Sequence, residues 1–394
     1  MNWDSPAVKR ALTDLQETLF LQGRDSRIVR GAFAYSRLKK RWLAAAVQGW
    51  RRLTQKHTKP ENRLKIFFWL PGGLGDAACA RRLVDNYRAL LPGADFEIYS
   101  PVPHAVETIF AGVSGITAAS TQKQYWGNYD LAVLACLSVK FLAADEARLS
   151  RLAPLFFPVY QKAKAAQRQL GFLSEDPFLT ELALGRWLLK MGGKRFDLLS
   201  FTGGTDLPHE AQQQIPVQLS ALTNWGLAPQ TYLTFHDGAT GRSLPTRMWP
   251  NAHWKALLTQ LKRTYAPLKI VQIGTAENPV YPQADICLCG KTRLTDLPAL
   301  LAGAVLHLDT ESGLVHLAQY LPTKSVVLFG PSDTDFFAYQ KNINLAGGDC
   351  GGCMWMTTNW MQRCPLSQRE AACLRAITPA CVLQAVAQAL GTIS

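Results

Sequence analysis

A chain of 394 residues, 48% hydrophobic and 18% charged, is too long for one ordinary core and has the make-up of a folded protein of two or three domains. No window reaches the roughly 18 to 20 uninterrupted apolar residues of a membrane-spanning helix. The opening MNWDSPAVKR carries an acid and a proline with no apolar run behind it, which does not read as a secretory signal, so a cytoplasmic protein is expected. The formal net charge of +13 is uneven: ten Lys/Arg and no acid lie between Arg27 and Lys59, so the basicity belongs to an N-terminal appendage.

In chain order, the first 60 residues read as mostly helical. Ile28, Ala32, Tyr35, Trp42, Ala46, Trp50 and Leu53 keep near one face until Pro60 ends the pattern. From Leu64, LKIFFWL is a short apolar run bounded by Pro71, Gly72 and Gly73, a buried strand entering a loop, and a helix should follow over about 76–91. Further strands are expected at 96–99 and 131–136, and the alternation of strand and helix indicates a parallel sheet. Residues 141–227 are richer in helix formers and read as helices completing the first domain, then a linker. A second set of strands is expected at 231–236, 269–274, 286–290, 305–309 and 325–330, with helices over about 252–264 and 296–302. Two doubly wound units in one chain leave a cleft between them, and ligands of such sheets sit outside the carboxyl ends of the strands.

Three loops at those ends carry candidate chemistry. PGGLGDAACA (71–80) lies between a strand and a helix, where glycines admit a ligand close to the backbone and a helix N-terminus offers N–H groups to an anion. Asp76 in it could equally cap the helix. HDGATGRSLPTRMWP (236–250) holds Thr240, Arg242 and Arg247, and guanidinium groups pair bidentately with phosphate oxygens; the plain alternative is a polar surface loop. The run 306–333 gathers acid, hydroxyl, glycine and imidazole at one sheet edge: Asp309, Glu311, Ser312, Gly313 and His316. Alone, His316 reads as readily as a structural residue.

Together these residues resemble glycosyltransferase family 9, the bacterial ADP-heptose heptosyltransferases. Gly75-Asp76, Arg247-Met248-Trp249-Pro250, the run from Glu311 to Ala318 and Phe329-Gly330-Pro331 stand where the family has its motifs. The resemblance spans about residues 64–385 and implies a GT-B fold, α/β with two Rossmann-like domains facing a cleft, and an inverting reaction without a catalytic metal. By the same resemblance Asp76 is the general base, Arg247 holds the diphosphate, Glu277 contacts the ribose, and Ser312, Gly313 and His316 line the phosphates and sugar. Two departures stand out. Arg247 replaces the family's usual lysine, and the late acid is Glu311 in ungapped alignment, Asp309 fitting only with two residues inserted. The expected layout is a basic helical extension (1–60), an acceptor-side domain (61–228), a donor-binding domain (229–345), and a cysteine finger with a terminal helix (346–394).

Five of the nine cysteines fall in the last 45 residues, and Cys350, Cys353, Cys364 and Cys373 are spaced C-x2-C-x10-C-x8-C. Four thiolates so placed can close a tetrahedral structural site for zinc or iron, and the pattern resembles the iron-holding finger of the autotransporter heptosyltransferases. The alternative is a set of buried free thiols. The cationic N-terminal segment, interleaved with Trp and Tyr, suits the anionic inner face of a membrane, a solvated face or a docking arm. The expected partners are a nucleotide-diphosphate sugar and a glycan-lipid or protein acceptor, with a homo-oligomer also compatible. The competing readings are a GT-B nucleotide-sugar epimerase and a nucleic-acid-binding metal-finger protein.

Overall fold

The structure is a computed structural model of the 394-residue chain. It describes residues 1–22, 62–121, 125–170, 177–238, 244–348, 350–357, 359–366 and 370–391, and of these it describes no side chains for 16–22 and 177–182. The basic stretch 27–59 therefore lies outside the described residues, as do Thr240 and Arg242.

The first domain is built on five strands: β1 (Lys65–Trp69), β2 (Asp95–Tyr99), β3 (Ile116–Ala118), β4 (Leu131–Ala135) and β5 (Val139–Ala144), in the order β3-β2-β1-β4-β5. β1 pairs in parallel with β2 and β4, and the centres of β1 and β4 are closed to solvent: Ile66 and Phe68 pack into the core that holds the helix Leu74–Leu90, while Phe67 packs with Tyr129 and Ala132 on the other face, which is why β1 reads as a continuous apolar run. β5 corrects an expectation. Val139–Ala144 lies in a stretch rich in helix formers, yet it folds back antiparallel on β4 as an edge strand, the ladder on offer outweighing local propensity.

The second domain carries β6 (Tyr232–Phe235), β7 (Lys269–Gln272), β8 (Ile286–Cys287), β9 (His307–Thr310), β10 (Ser325–Phe329) and β11 (Ile343–Ala346). They form a wholly parallel sheet in the order β11-β10-β9-β6-β7-β8. Winding runs one way from β6 to β8 and the other way from β9 to β11, so the order reverses between β6 and β9. In the first sheet it reverses between β1 and β4. Each reversal opens a crevice at the carboxyl edge.

The two ends of the chain are packed into these domains. The helix Pro6–Gln22 buries Val8 and Leu12, Trp3 stacks on Phe201 at 4.0 Å, and the terminal amine of Met1 pairs with Asp197. The terminal helix Pro379–Gly391 sends Val382, Ala385, Val386 and Ala389 into the second domain's core beside Trp249 and Trp254, and Cys373 and Leu374 join the same core. Among the described residues no helix is long and apolar enough to cross a membrane.

Candidate functional site

The two carboxyl edges meet across one cleft of about 1020 Å³. The first domain gives it the β1 loop from Pro71 to Asp76 and, beyond β4, Cys136 and Leu137. The second gives it His236, Arg247, Gly274 to Ala276, the run Glu311 to Leu314, and His316. The domains touch at its floor, where the N-termini of the helices Leu74–Leu90 and Gly313–Ala318 meet. A Cβ at Gly75 would lie 2.7 Å from Cδ2 of His316 and 3.3 Å from Cα of Gly313, and one at Gly313 would lie 3.1 Å from the Gly75 nitrogen. Both positions therefore need glycine for close approach of backbone to backbone.

Asp76 sits in the first turn of the helix Leu74–Leu90, three residues after the capping Gly73. Its Oδ2 accepts the Gly73 N–H at 3.2 Å, so it does serve the helix end, but from inside the helix. Its Oδ1 accepts from the guanidinium of Arg195 at 3.0 Å. Arg195 is itself buried, with 4% of its side chain exposed, and its backbone N–H bonds to the carbonyl of Phe336 in the other domain. Asp76 remains 44% exposed and faces the cleft. An ionised carboxylate held by one cation and one N–H, open on its remaining side, can accept a proton from a bound hydroxyl.

The opposite wall is a buried charge network. Arg247, in the short turn Pro245–Arg247, donates to the carboxylate and the backbone carbonyl of Glu311, and its Nε has no hydrogen-bond partner among the described residues. Trp249 fixes this turn from below: it is buried and its Nε1–H donates to the carbonyl of Ile377. Glu311 also accepts from Ser332 at 2.7 Å and meets Nε2 of His316 at 2.9 Å. Burial alone would discourage ionisation of Glu311, but Arg247, then His316 and Ser332, overcome it and hold the carboxyl at about 2. His316 is likewise disfavoured as a cation by burial, yet Cys79 and Glu311 raise it to about 10. Its Nδ1 lies 2.6 Å from the Tyr339 hydroxyl and 3.6 Å from Sγ of Cys79, on the same helix as Asp76.

The geometry separates the two late acids. Asp309 is fully buried behind the wall, 2.9 Å from Nδ1 of His236 and 3.3 Å from Nε2 of His307, and accepts from Ser312 at 2.5 Å. Its place is to brace Ser312 and His236, both of which line the cleft; Glu311 is the acid that reaches it. Glu277 is exposed and does not line the cleft, where its neighbours Thr275 and Ala276 do so. Asn278 holds that loop, accepting from the N–H and hydroxyl of Thr275 and donating to Asp237 at 2.7 Å.

The cysteine motif does not form a preassembled metal shell: among the described residues no group of three or more His, Cys, Asp or Glu side chains is close enough to hold an ion. The four thiols nevertheless share one neighbourhood. Burial pushes Cys373 up to about 12, with Cys350, Cys353 and Cys364 adding to the rise. Sequence reasoning missed Arg195, Ser332 and the aromatic residues Phe337, Trp355 and Trp360 of the cleft wall. Ser332 stands just past the quoted Phe-Gly-Pro, where a hydroxyl at a strand end was a readable signal; Arg195 has no local signal.

Two α/β domains with their carboxyl edges turned on one cleft, a carboxylate on one wall and a buried charge network on the other, have the architecture of the GT-B fold. Residues 194–351, less than half of the chain, match the model of glycosyltransferase family 9 (heptosyltransferase). No curated protein matches the chain in sequence. Among solved structures it is similar in fold to the iron-containing dodecameric glycosyltransferase TibC from enterotoxigenic E. coli H10407 (15% identity, 86% of this chain and 79% of that one, TM-score 0.56). The same enzyme in complex with ADP-D-β-D-heptose matches with 15% identity over 86% of this chain and 78% of that one (TM-score 0.53). The family 9 glycosyl transferase from Veillonella parvula DSM 2008 matches with 15% identity over 85% of this chain and all of its own (TM-score 0.51).

Proposed function

We propose that the protein is an inverting transferase that moves heptose from ADP-heptose onto a hydroxyl of a surface-glycan precursor or a protein. The observation that carries this reading is the opposition of Asp76, half-exposed and oriented by Arg195, to the Arg247, Ser312, Gly313 and His316 wall across one cleft. The acceptor hydroxyl gives its proton to Asp76 and attacks the anomeric carbon from the face opposite the nucleotide. The bond to the diphosphate breaks as the new glycosidic bond forms, and the departing negative charge falls on Arg247 and the N–H groups at Gly313. Arg247 exchanges one buried anion, Glu311, for another, while His316 and Ser332 keep Glu311 ionised and paired.

Cys350, Cys353, Cys364 and Cys373 are a donor set that fits a structural iron or zinc, which would tie the loop to the second-domain core and supply no chemistry to the transfer. The reading extends to a cytoplasmic enzyme whose segment 27–59 contacts an anionic membrane face.

A thermal-shift screen against ADP-, UDP-, GDP- and CMP-sugars tests the assignment, since a ligand bound only by the native state raises its stability with occupancy. ADP-heptose is expected to give the largest shift; a larger one from a UDP- or GDP-sugar would overturn the donor, and no shift from any would overturn the class. Turnover of the donor alone, without acceptor, would mark an epimerase.

A further inference from the structure

We propose that the indole of Trp355 is the platform on which a pyranose ring lies in the cleft, which makes it a specificity-determining residue; this rests on the transferase reading above. Trp355 has φ 64°, and among the described residues only His104, Gln230 and Trp355 are non-glycine residues on the left-handed side. Of the three, Trp355 alone lines the cleft. The N–H of Met356 bonds to the carbonyl of Cys353 at 3.0 Å, so Trp355 is the third residue of a tight turn, the place a turn with positive φ there gives to glycine. A bulky side chain there is strained, and strain of this kind collects where a side chain must be aimed.

The ring is held from both domains. Gly185 lies beneath it so closely that a Cβ there would come within 2.5 to 2.8 Å of the indole carbons. Phe336 meets it edge-on at 5.5 Å and Phe337 lies tilted to it at 6.0 Å. The carbonyl of Phe336 accepts the N–H of Arg195, the residue that holds Asp76, so the indole stands three contacts from the proposed base. At its far end the same loop is tied to the phosphate side: the carbonyl of Met361 accepts the Thr246 hydroxyl at 3.0 Å, next to Arg247. Met354, Trp355, Trp360 and Met361 thus form an apolar stretch of wall between a base and a diphosphate site.

A pyranose has one face of C–H groups and a rim of hydroxyls. Dispersion against a rigid aromatic ring suits the face and leaves the rim free to hydrogen-bond, at small entropic cost because the indole is already immobilised. The ring in question belongs either to the donor's sugar or to a sugar of the acceptor.

Calorimetry of ADP and ADP-heptose, and saturation-transfer NMR of methyl α-glucopyranoside and methyl α-mannopyranoside in the presence of ADP, separate these sources. They would be run on the wild type and on Trp355→Gly, Trp355→Leu and Trp355→Phe. Glycine suits the backbone, so Trp355→Gly removes the ring without adding strain, and Trp355→Leu keeps apolar bulk without a flat face should the first fold poorly. Both are expected to weaken the sugar-bearing ligand by about tenfold, with Trp355→Phe restoring most of it and ADP unaffected throughout. Loss confined to ADP-heptose assigns the donor's ring, and loss confined to the glycosides assigns the acceptor's. Unchanged binding of both in Trp355→Leu would overturn the proposal, as would equal loss of ADP. Failure of the wild type to bind either ADP or ADP-heptose would instead remove the transferase reading.

Discussion

The two walls of the cleft carry carboxylates in opposite conditions. Asp76 is 44% exposed, with one guanidinium and one backbone N–H for company. Glu311 is 4% exposed and shared among Arg247, His316 and Ser332. A carboxylate that is to take a proton needs a free lone pair and a path for the substrate; one that is to hold cations in place needs neither. On the proposed reading this difference divides the labour, with chemistry on the first-domain wall and charge organisation on the second.

The largest effect should come from breaking the reactive wall. Asp76→Asn keeps the side chain's shape and is expected to lower transfer by about 10² to 10⁴, measured as product formed from ADP-heptose at saturating donor. Its melting temperature should move little, because the asparagine carbonyl can still accept from Arg195 and leaves the buried guanidinium a hydrogen-bond partner; a collapse in stability would mark Asp76 as a helix cap only.

Breaking the organising wall should instead show in stability. Arg247→Ala leaves Glu311 buried without its main cation, which costs about 3 kcal/mol in urea unfolding, the low end of the range because His316 and Ser332 stay. Adding Glu311→Gln to that variant should recover part of the loss. Gly75→Ala tests the floor between the walls: its Cβ would overlap the His316 ring, for about 1 to 3 kcal/mol. A neutral outcome would mean that the two helix ends are not pressed together.

The organising wall should also show in pH dependence. The carboxyl of Glu311 is depressed from 4.5 to about 2, so its stabilisation is fully present above about 4.5 and is lost as pH falls through 2. His316 is raised from 6.5 to about 10, so its share is present below 6.5 and fades as pH rises through 10. Glu311→Gln should flatten the acid limb of a stability profile, and an acid limb identical to wild type would remove Glu311 from the network.

The central strands were legible because they are buried on both faces and write themselves as apolar runs, as in Lys65–Trp69 and Ser325–Phe329. The edge strands β3, β5 and β11 were not, since most of their residues stay partly open and no alternation marks them. Gly75, Asp76, Arg247 and the run from Glu311 to His316 could be picked out as polar loops at strand ends. The preference for Glu311 over Asp309 came only from the ungapped match to the family's motif, because two acids two residues apart otherwise differ only in what the tertiary fold packs over them. Arg195 was invisible for the same reason: its role exists only where Phe336 from the other domain fixes its backbone.

The division between the walls is tested most directly by calorimetric titration of ADP into the wild type, Asp76→Asn and Arg247→Ala. The account predicts equal affinity for the first two and a loss of at least about tenfold for the third, the worth of a charged hydrogen bond to phosphate. Equal binding by all three, or loss of ADP binding in Asp76→Asn alone, would contradict it.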